Sequence, residues 1–386
     1  MQEIAIASAV RTPIGRFGGA LCRLTAVDLG VVAVKEALRR AGIEPGEVDL
    51  VIVGLARQAG CGPNPARQIG VRSGIPPEVP AYTLNQACAS GLASIVQAAQ
   101  NIRLQEADVV VAAGAESMSN VPYLLDSVRF GTRLGHRPLI DGMYRDGFVC
   151  PMARMVMGET VEVLAREYSI SREEQDAFAA SSQQKAEKAM AEGRFDAEIV
   201  AVETPEGKLS RDEHPRGGVT AEGLLRLKPV FSGEGTITAG NASGITDGAS
   251  ATVVVSQRFL EKKGLRPLAR YRSGKIAGLD PVRMGLGPVM AVRQLDSGDQ
   301  RLESFDLIEL NEAFAAQVLA CDREMSLPMD RVNVNGGAIA LGHPIGCTGN
   351  RIVTTLLHEM ARRDAHRGLA TLCVSGGLGI CAVFER

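Results

Sequence analysis

The sequence Asn333-Val-Asn-Gly-Gly-Ala-Ile-Ala-Leu-Gly-His-Pro-Ile-Gly-Cys-Thr-Gly349 places one histidine, His343, among glycines and a proline. The pattern of residues 331–334 predicts a short strand, and apolar residues at helical spacing follow over residues 350–363. We therefore predict that His343 lies in a glycine-rich loop between a strand and a helix. Glycines lose much backbone freedom on folding, so a loop rich in them is costly to order. Such a loop usually allows positive φ angles or the close approach of another group. A plain structural turn is the alternative interpretation.

Strand and helix patterns alternate along the rest of the chain. Continuous apolar runs at residues 48–54, 108–114 and 305–310 are typical of strands buried in a parallel sheet. Helical patterns cover residues 26–41 and 90–105. This alternation predicts an α/β fold with a mostly parallel sheet.

The two ends of the chain repeat the same order of elements, which predicts a duplicated core of two similar α/β halves. The stretch between them is less regular and contains one clear helix, whose start is marked by a capping-box pair, Ser171 and Glu174. Long irregular stretches inside compact domains usually bind ligands or cover a site. We therefore expect core halves at residues 1–118 and 249–386, with an inserted loop domain at residues 119–248.

Composition narrows the class of protein. The chain has 386 residues, of which 45% are hydrophobic and 22% are charged, and its net charge of -2 implies neither nucleic acid nor an anionic membrane as a partner. The apolar runs are too short for a transmembrane helix, and the first residues lack the features of a signal peptide. We therefore expect a cytoplasmic protein. Its eight cysteines are then expected to be thiols, and the absence of a Cys-x-x-Cys pair predicts no metal site.

Four predicted loops carry reactive or polar side chains. Loops at the carboxyl ends of parallel strands gather on one side of a sheet, where such folds bind their ligands. These loops contain Cys88, Asn311 with Glu312, His343 and Cys373. Two halves packed sheet to sheet would bring them together, and we predict a functional site there.

Each of these residues also has an ordinary structural interpretation. Cys88 precedes a predicted helix, whose N-terminal partial charge favours a thiolate, but a small buried thiol is the alternative. Cys373 reads equally as a core thiol, and Cys347 has no acid–base partner beside it in the sequence. Asn311 is either a helix N-cap or an amide that holds a water or a carbonyl. Glu312 is either a capping carboxylate or the partner that orients a histidine.

Taken together, these motifs resemble the thiolase family, and the resemblance spans nearly the whole chain. The matching segments appear in the family's order: Asn85-Gln-Ala-Cys-Ala-Ser-Gly, Thr238-Ala-Gly-Asn-Ala-Ser-Gly-Ile-Thr-Asp-Gly-Ala, Asn311-Glu-Ala-Phe-Ala, the His343 loop and Cys373 with its glycine turn. Any one of them is weak, whereas five in order are specific. The resemblance implies a duplicated βαβαβαββ core with a loop domain inserted after the first half.

The resemblance also implies a reaction and its residues. It implies an acyl-CoA:acetyl-CoA C-acyltransferase of fatty-acid metabolism that condenses acyl-CoAs, or thiolytically cleaves 3-ketoacyl-CoA, through an acyl-cysteine. Cys88 would be the acylated nucleophile, His343 its activating partner and Cys373 the acid and base, and Asn311 would hold a catalytic water. The amides of Cys88 and Ser375, together with the His343 side chain, would form the oxyanion holes.

Coenzyme A enters this scheme as a substrate, with no metal. The resemblance implies that CoA contacts five residues: Ser243, Met157, Arg216, Ala313 and Phe314. It also implies a homo-oligomer, a dimer or a tetramer, and the irregular stretch at residues 120–148 offers loop surface for one. Neither nucleic acid nor a membrane is expected as a partner.

The chain departs from the family pattern at two positions. Ser375 stands where the family usually has glycine, and Val156 stands where short-chain biosynthetic members often carry histidine. Both departures bear on the preferred acyl chain more than on the reaction. Three alternatives remain: a 3-ketoacyl synthase-like enzyme, which needs no second cysteine; a redox or zinc-binding thiol protein, which needs paired cysteines; and an inactive CoA-binding homologue.

Overall fold

The computed structural model describes residues 3–295 and 301–386 of the chain. The strands of its main sheet are β1 Ile4–Arg11, β2 Leu50–Gly54, β3 Ala81–Leu84, β4 Val109–Ser117, β5 Thr246–Ser256, β6 Ala269–Gly278, β7 Leu307–Leu310, β8 Arg367–Val374 and β9 Leu378–Glu385. The α-helices are α1 Ala26–Ala41, α2 Pro65–Arg72, α3 Ser90–Arg103, α4 Met157–Glu167, α5 Arg172–Ala191, α6 Ala221–Leu224, α7 Gln257–Lys263, α8 Gly287–Val292, α9 Ala315–Met325, α10 Ala338–Leu341 and α11 Ile345–Arg363.

The main sheet has the order β7-β8-β9-β6-β1-β5-β4-β2-β3, and a two-residue strand, Gly15–Arg16, also pairs with β5. Parallel pairing is confined to β7 with β8, β4 with β2 and β2 with β3, while the other neighbours run antiparallel. The prediction of a mostly parallel sheet is therefore wrong, because the sheet is mixed. Apolar side chains are buried on both faces of the central strands, and such strands show continuous apolar runs in either direction.

The predicted duplication is visible in the strand order. From its outer edge inward, the first half has the strand order β3-β2-β4-β5-β1. The second half has the order β7-β8-β9-β6 in the same direction, and a single bridge at Val332 takes the place of the outermost strand. A ladder of only two residue pairs between β1 and β6 joins the halves into one sheet. Sequence analysis did not identify β5, an eleven-residue strand that returns to the first half after the irregular stretch. The expected division at residues 119 and 248 stays a prediction, and β5 spans its second boundary.

The halves do not pack sheet to sheet, which corrects the expected arrangement. Helices α3 and α11 contact each other, and each contacts strands of both halves, so the largest apolar core surrounds this helix pair. Their backbones approach so closely that a Cβ on Gly91 would lie 2.6 Å from the amide nitrogen of Asn350. A Cβ on Gly349 would overlap the amide of Leu92 in the same way. The starts of α3 and α11, which carry the Cys88 and His343 loops, are therefore held together by backbone contact.

The prediction of a short strand at residues 331–334 is wrong. Only Val332 forms a bridge, to Ile308, and Asn333 turns the chain with a φ of 45°. The Asn333 side chain replaces further strand pairing, because it accepts from the amide of Leu310 at 2.9 Å and donates to its carbonyl at 2.8 Å. The helix after the loop begins at Ile345, five residues before the predicted start, and so includes Thr348 in its first turn.

Several local predictions are confirmed. Helix α1 has the predicted bounds and ends at Gly42, whose φ of 64° is readily adopted only by glycine among common residues. Helix α5 begins after Ser171, which forms the predicted capping box with Glu174. The segment between β4 and β5 holds α4 to α6 and three small hairpins, which pair Tyr123–Leu124 with Ile140–Asp141, Val149–Cys150 with Met155–Val156, and Val202–Thr204 with Gly207–Leu209. Among the described residues, no helix is both long and apolar enough to cross a membrane.

Candidate active site

A cavity of about 500 Å³ opens between the helix pair and the segment that connects β4 to β5. Most of the residues singled out in the sequence line this one cavity: Cys88, Met157, Arg216, Ser243, Ala313, Phe314, His343, Cys373 and Ser375. The exposed side chains of Arg16, Phe17 and Arg216 lie at its mouth, whereas Cys373 and His343 are buried. The cavity therefore leads from charged surface to two cysteines and a histidine.

The Cys88 loop has a strained backbone that is fixed by side-chain hydrogen bonds. Cys88 lies in a single 3₁₀ turn, Ala87–Ala89, directly before α3, as the sequence predicted. Ala87 has a φ of 47°, an unfavourable value for a residue with a Cβ. Asn85 holds this turn, because its side chain accepts from the Ala87 amide at 2.9 Å and donates to the Ala56 carbonyl at 3.1 Å. The turn aims Cys88 into the cavity.

The charge state of Cys88 differs from the expectation. Burial raises the pKa of the Cys88 thiol, although a hydrogen bond from the Ser375 backbone amide and the positive charge of Arg57 oppose that rise. Desolvation thus outweighs the groups that favour a thiolate, and Cys88 rests as a thiol at neutral pH. The Ser375 amide, which forms that hydrogen bond, therefore lies near the Cys88 sulfur, so it can serve as a donor to an oxyanion that forms beside it.

His343 is held in one orientation and kept neutral. Its amide donates to the carbonyl of Gly244 at 3.0 Å, and its Nδ1 lies 2.6 Å from Oγ1 of Thr348. Its Nε2 is buried without a hydrogen-bond partner in the described structure. Burial, together with the positive charges of Arg351 and Arg57, lowers the pKa of His343 to about 3. The imidazole is therefore neutral at neutral pH.

The tautomer of this neutral imidazole follows from its partner. The Thr348 hydroxyl donates its only proton to the carbonyl of Pro344 at 2.9 Å. The same oxygen must then accept from Nδ1, which makes Nδ1 the protonated nitrogen. Nε2 of His343 consequently carries the free lone pair, so it is the atom able to take up a proton.

Cys373 is buried and is the last residue but one of β8, directly before the glycine turn. Burial raises the pKa of its thiol well above the ordinary value, and the neighbouring Cys88 raises it further. The effect of Cys88 on the pKa of Cys373 indicates that the two sulfurs, which line the same cavity, lie near each other. A thiol with a high pKa is a weak acid whose thiolate, once formed, is a strong base.

The two residues that follow β7 have different surroundings. Asn311 is buried, and neither Nδ2 nor Oδ1 has a partner in the described structure, so its amide can hold a small polar group. It is not a helix N-cap, because α9 begins only after Phe314. Glu312 does not orient His343, and it caps the first turn of α10 instead of the helix that follows it, α9. Its carboxylate accepts from the Ser182 hydroxyl at 2.6 Å, the Asn333 side chain at 2.9 Å and the Ile339 amide at 3.2 Å.

Sequence analysis missed three residues that shape the site. Thr348 orients His343, and Arg57 lines the cavity beside Cys88. Glu116 is a buried carboxylate that accepts from the amides of Ala56, Arg57 and Gly346, so it joins the loop after β2 to the start of α11. A lone carboxylate at the end of the apolar strand β4 was the available signal for Glu116. Arg57 and Thr348 offered no comparable signal.

Comparisons with known proteins agree with this geometry. Residues 4–258 match the model of the thiolase N-terminal domain, and residues 265–386 match that of the thiolase C-terminal domain. The chain is 49% identical to an acetyl-CoA acetyltransferase of Pseudomonas aeruginosa, with 100% of both chains covered. It superposes on human mitochondrial 3-ketoacyl-CoA thiolase in complex with CoA at a TM-score of 0.97 and 41% identity, covering 100% of this chain and 98% of that one. A Bacillus anthracis acetyl-CoA acetyltransferase gives the same TM-score at 46% identity, covering 100% and 99%.

The mixed α/β fold, the cysteine-lined cavity and these relatives together define an acyltransferase. The chain belongs to the thiolase family.

Proposed function

We propose that the chain transfers acyl groups between CoA and acetyl-CoA through an acyl-Cys88 intermediate, cleaving or forming 3-ketoacyl-CoA. The observation that carries this proposal is the opening of two thiols, Cys88 and Cys373, and an unpartnered imidazole nitrogen of His343 into one cavity. A 3-ketoacyl synthase-like enzyme has no use for the second thiol. The inactive CoA-binding alternative would not require the strained turn that presents Cys88.

In the cleavage direction, His343 Nε2 takes the proton of the Cys88 thiol as the sulfur attacks the 3-keto carbon. The amides of Cys88 and Ser375 stabilise the oxyanion that forms. The bond between C2 and C3 then breaks, and Cys373 gives its proton to C2 of the departing acetyl-CoA enolate. His343 and a water held by Asn311 bind the enolate oxygen in this scheme.

In the second half-reaction, the thiol of free CoA attacks the acyl-Cys88 thioester and gives its proton to the Cys373 thiolate. The Cys88 sulfur leaves and regains a proton from the His343 imidazolium, which restores both thiols and the neutral imidazole. Neutral resting groups suit this cycle because each charge exists only while the substrate is present. Condensation of two acyl-CoAs follows the same steps in reverse.

We place CoA along the cavity from its mouth to the cysteines. Arg216 is exposed at the mouth and can meet the phosphates, while Ser243 and Met157 line the passage further in. Ala313 and Phe314 form part of its wall, and the Ser243 amide donates to the Ala313 carbonyl at 3.0 Å. A related chain of the same fold, human mitochondrial 3-ketoacyl-CoA thiolase, has been solved in complex with CoA, which supports this placement.

We also propose that the chain assembles into a homo-oligomer, a dimer or a tetramer. The segment between β4 and α4 exposes large apolar side chains, with Phe130 and Leu134 each 94% accessible. Apolar side chains exposed to this degree on neighbouring turns usually mark a contact surface. Light scattering at micromolar concentration tests the proposal, and a monomeric mass contradicts it.

Intact-mass measurement after mixing with acyl-CoAs tests the reaction. We expect an adduct of one acyl group that maps to Cys88 and disappears when CoA is added. The Cys88→Ala variant is expected to show no adduct and no turnover. Retained acylation in that variant assigns the nucleophile elsewhere, and an unlabelled wild-type chain contradicts the proposed function.

A further inference from the structure

Arg57 brings an unpaired positive charge into the apolar part of the catalytic cavity. Its side chain is only 7% exposed, and its Nε has no hydrogen-bond partner. No carboxylate in the described parts of the chain forms an ion pair with its guanidinium. A buried charge without a partner is strongly unfavourable, so proteins retain one mainly where a ligand supplies the opposite charge.

The guanidinium is fixed in place by its neighbours. It lies over the ring of Phe148, with 5.9 Å between its central carbon and the ring centroid. It also lies against Gly147, where any side chain would overlap its nitrogens. The aromatic face and the bare backbone leave Arg57 in one orientation, and its planar fork of donors matches the geometry of a carboxylate.

Arg57 lies near Cys88, because its positive charge acts on the Cys88 thiol. It lines the catalytic cavity and also an adjoining cavity of about 270 Å³, whose lining includes none of the mouth residues. The side chains of Ala56, Phe148 and Cys88 belong to one apolar cluster, which places the loop after β2 next to the nucleophile. An acyl group on Cys88 therefore shares its apolar surroundings with the loop that carries Arg57, and the adjoining cavity gives its far end room.

Neighbouring carboxylates already have other partners. Glu116 accepts hydrogen bonds from the amides of Ala56, Arg57 and Gly346, not from the Arg57 guanidinium. Asp146 lines the adjoining cavity, but it is exposed and forms its ion pair with Arg145 at 3.8 Å. The charge of Arg57 does act on Glu116, where it opposes the rise in pKa that burial causes, but neither carboxylate contacts the guanidinium.

We propose that Arg57 binds a carboxylate at the far end of the acyl chain, so that the preferred substrates are 3-ketoacyl-CoAs with a terminal carboxylate. This inference rests on the proposed function and names its substrate class. During thiolysis, the carboxylated acyl group moves from the substrate to the Cys88 sulfur and then to CoA, while its carboxylate stays bound to Arg57. The terminal carboxylate takes no part in bond making or breaking.

A matched pair of substrates tests the assignment: 3-oxoadipyl-CoA and 3-oxohexanoyl-CoA, which differ only in a terminal carboxylate or methyl group. A longer pair, 3-oxosuberyl-CoA and 3-oxooctanoyl-CoA, tests a greater distance between the thioester and the terminal group. We expect the wild-type chain to have the higher kcat/KM for the carboxylated member of at least one pair. In Arg57→Leu, we expect the ratio of the two kcat/KM values to fall about tenfold or more, the usual worth of a charge-assisted hydrogen bond. Arg57→Lys should retain part of the ratio.

Arg16→Leu is the control, because it removes an arginine at the mouth of the same cavity. This variant should lower kcat/KM for both substrates of a pair by the same factor and leave the ratio of the two values unchanged. The assignment is overturned if the wild-type chain prefers the methyl-ended member of both pairs, a result that needs no variant. It is also overturned if Arg57→Leu slows both members equally, since Arg57 then acts only through its charge on Cys88. Cleavage of acetoacetyl-CoA by the wild-type chain distinguishes failure of the Arg57 assignment from failure of the proposed function. If the chain cleaves it, the proposed function stands whatever the role of Arg57, and if it does not, both proposals fail.

Discussion

Nδ1 of His343 lies 2.6 Å from Oγ1 of Thr348, and that hydroxyl donates to the carbonyl of Pro344, one turn earlier in the chain. The relationship fixes both the direction of the imidazole ring and the position of its proton. An ordinary hydroxyl in the first turn of α11 thus decides which nitrogen of His343 can act as a base.

Replacing Thr348 with valine should impair the reaction without unfolding the chain. Valine preserves the branched shape but cannot accept from Nδ1, so Nε2 no longer holds the lone pair in a fixed place. We expect kcat to fall about tenfold to a thousandfold, within the range for losing a positioned base, with a smaller change in KM. Thr348→Ser keeps the hydroxyl and should recover most of kcat. Equal losses in the serine and valine variants would show that the hydroxyl alone does not hold His343 in its active state.

The pH dependence of Cys88 alkylation should reveal a neutral resting pair. The pKa of Cys88 is raised and that of His343 is lowered to about 3, so the thiol and the imidazole are both uncharged at neutral pH. We expect the rate of reaction with iodoacetamide to rise continuously with pH above the ordinary thiol pKa of about 8.5, with no inflection near the ordinary histidine pKa of about 6.5. Mass spectrometry of the Cys88 peptide measures this rate. A plateau that begins below neutral pH would instead indicate a thiolate–imidazolium pair.

The variant Cys373→Ala should separate the two chemical steps. Acylation of Cys88 by a simple acyl donor depends on Cys88 and His343, whereas the carbon–carbon step needs a group that moves a proton at C2 of acetyl-CoA. A positioned acid or base contributes about 10²–10⁴ in rate. We expect Cys373→Ala to retain acyl labelling by mass spectrometry and to lose solvent deuterium exchange into acetyl-CoA, together with thiolysis. Parallel loss of labelling and exchange would contradict this division of roles.

Ser375→Gly should leave the reaction rate close to that of the unsubstituted chain. The group that lies near the Cys88 sulfur is the Ser375 backbone amide, which glycine also provides. We expect kcat/KM to change less than about threefold, far below the effect of losing an oxyanion donor. A change beyond about tenfold would assign a separate role to the hydroxyl.

Gly349→Ala should damage activity and stability together. Its Cβ would overlap the amide of Leu92, so α3 and α11 must move apart and Cys88 moves away from His343. We expect a loss of about 1–3 kcal/mol in the free energy of unfolding, the usual cost of overpacking, and a larger proportional loss in kcat. Gly46→Ala is the control, since a Cβ there has open space and should change neither denaturant midpoint nor kcat. Normal activity in Gly349→Ala would show that the helix pair can relax.

Sequence patterns predicted most of the main elements, and most of the site residues named from the sequence line the cavity, but prediction failed where contacts between distant segments decide the structure. Helix α1 carries its own start and stop signals, so its bounds were predictable. The strand expected near Asn333 is absent because a side-chain amide replaces backbone pairing, and residue pattern does not record that choice. The state of His343 depends on burial, which exists only in the folded chain. Arg57 became notable only when Phe148, far along the sequence, was found beside it.

Because the backbones of α3 and α11 touch, the spacing of the catalytic loops is constrained during evolution, whereas the cavity wall is free to change. The spacing of the backbones that carry Cys88 and His343 is set by main chains that touch, so it varies little with substitutions elsewhere. The walls that meet the acyl chain, including Phe148 and Val156, come from the segment between β4 and β5 and can change without altering that spacing. Such a molecule can acquire new substrates by exchanging wall residues, while its catalytic distances are inherited unchanged.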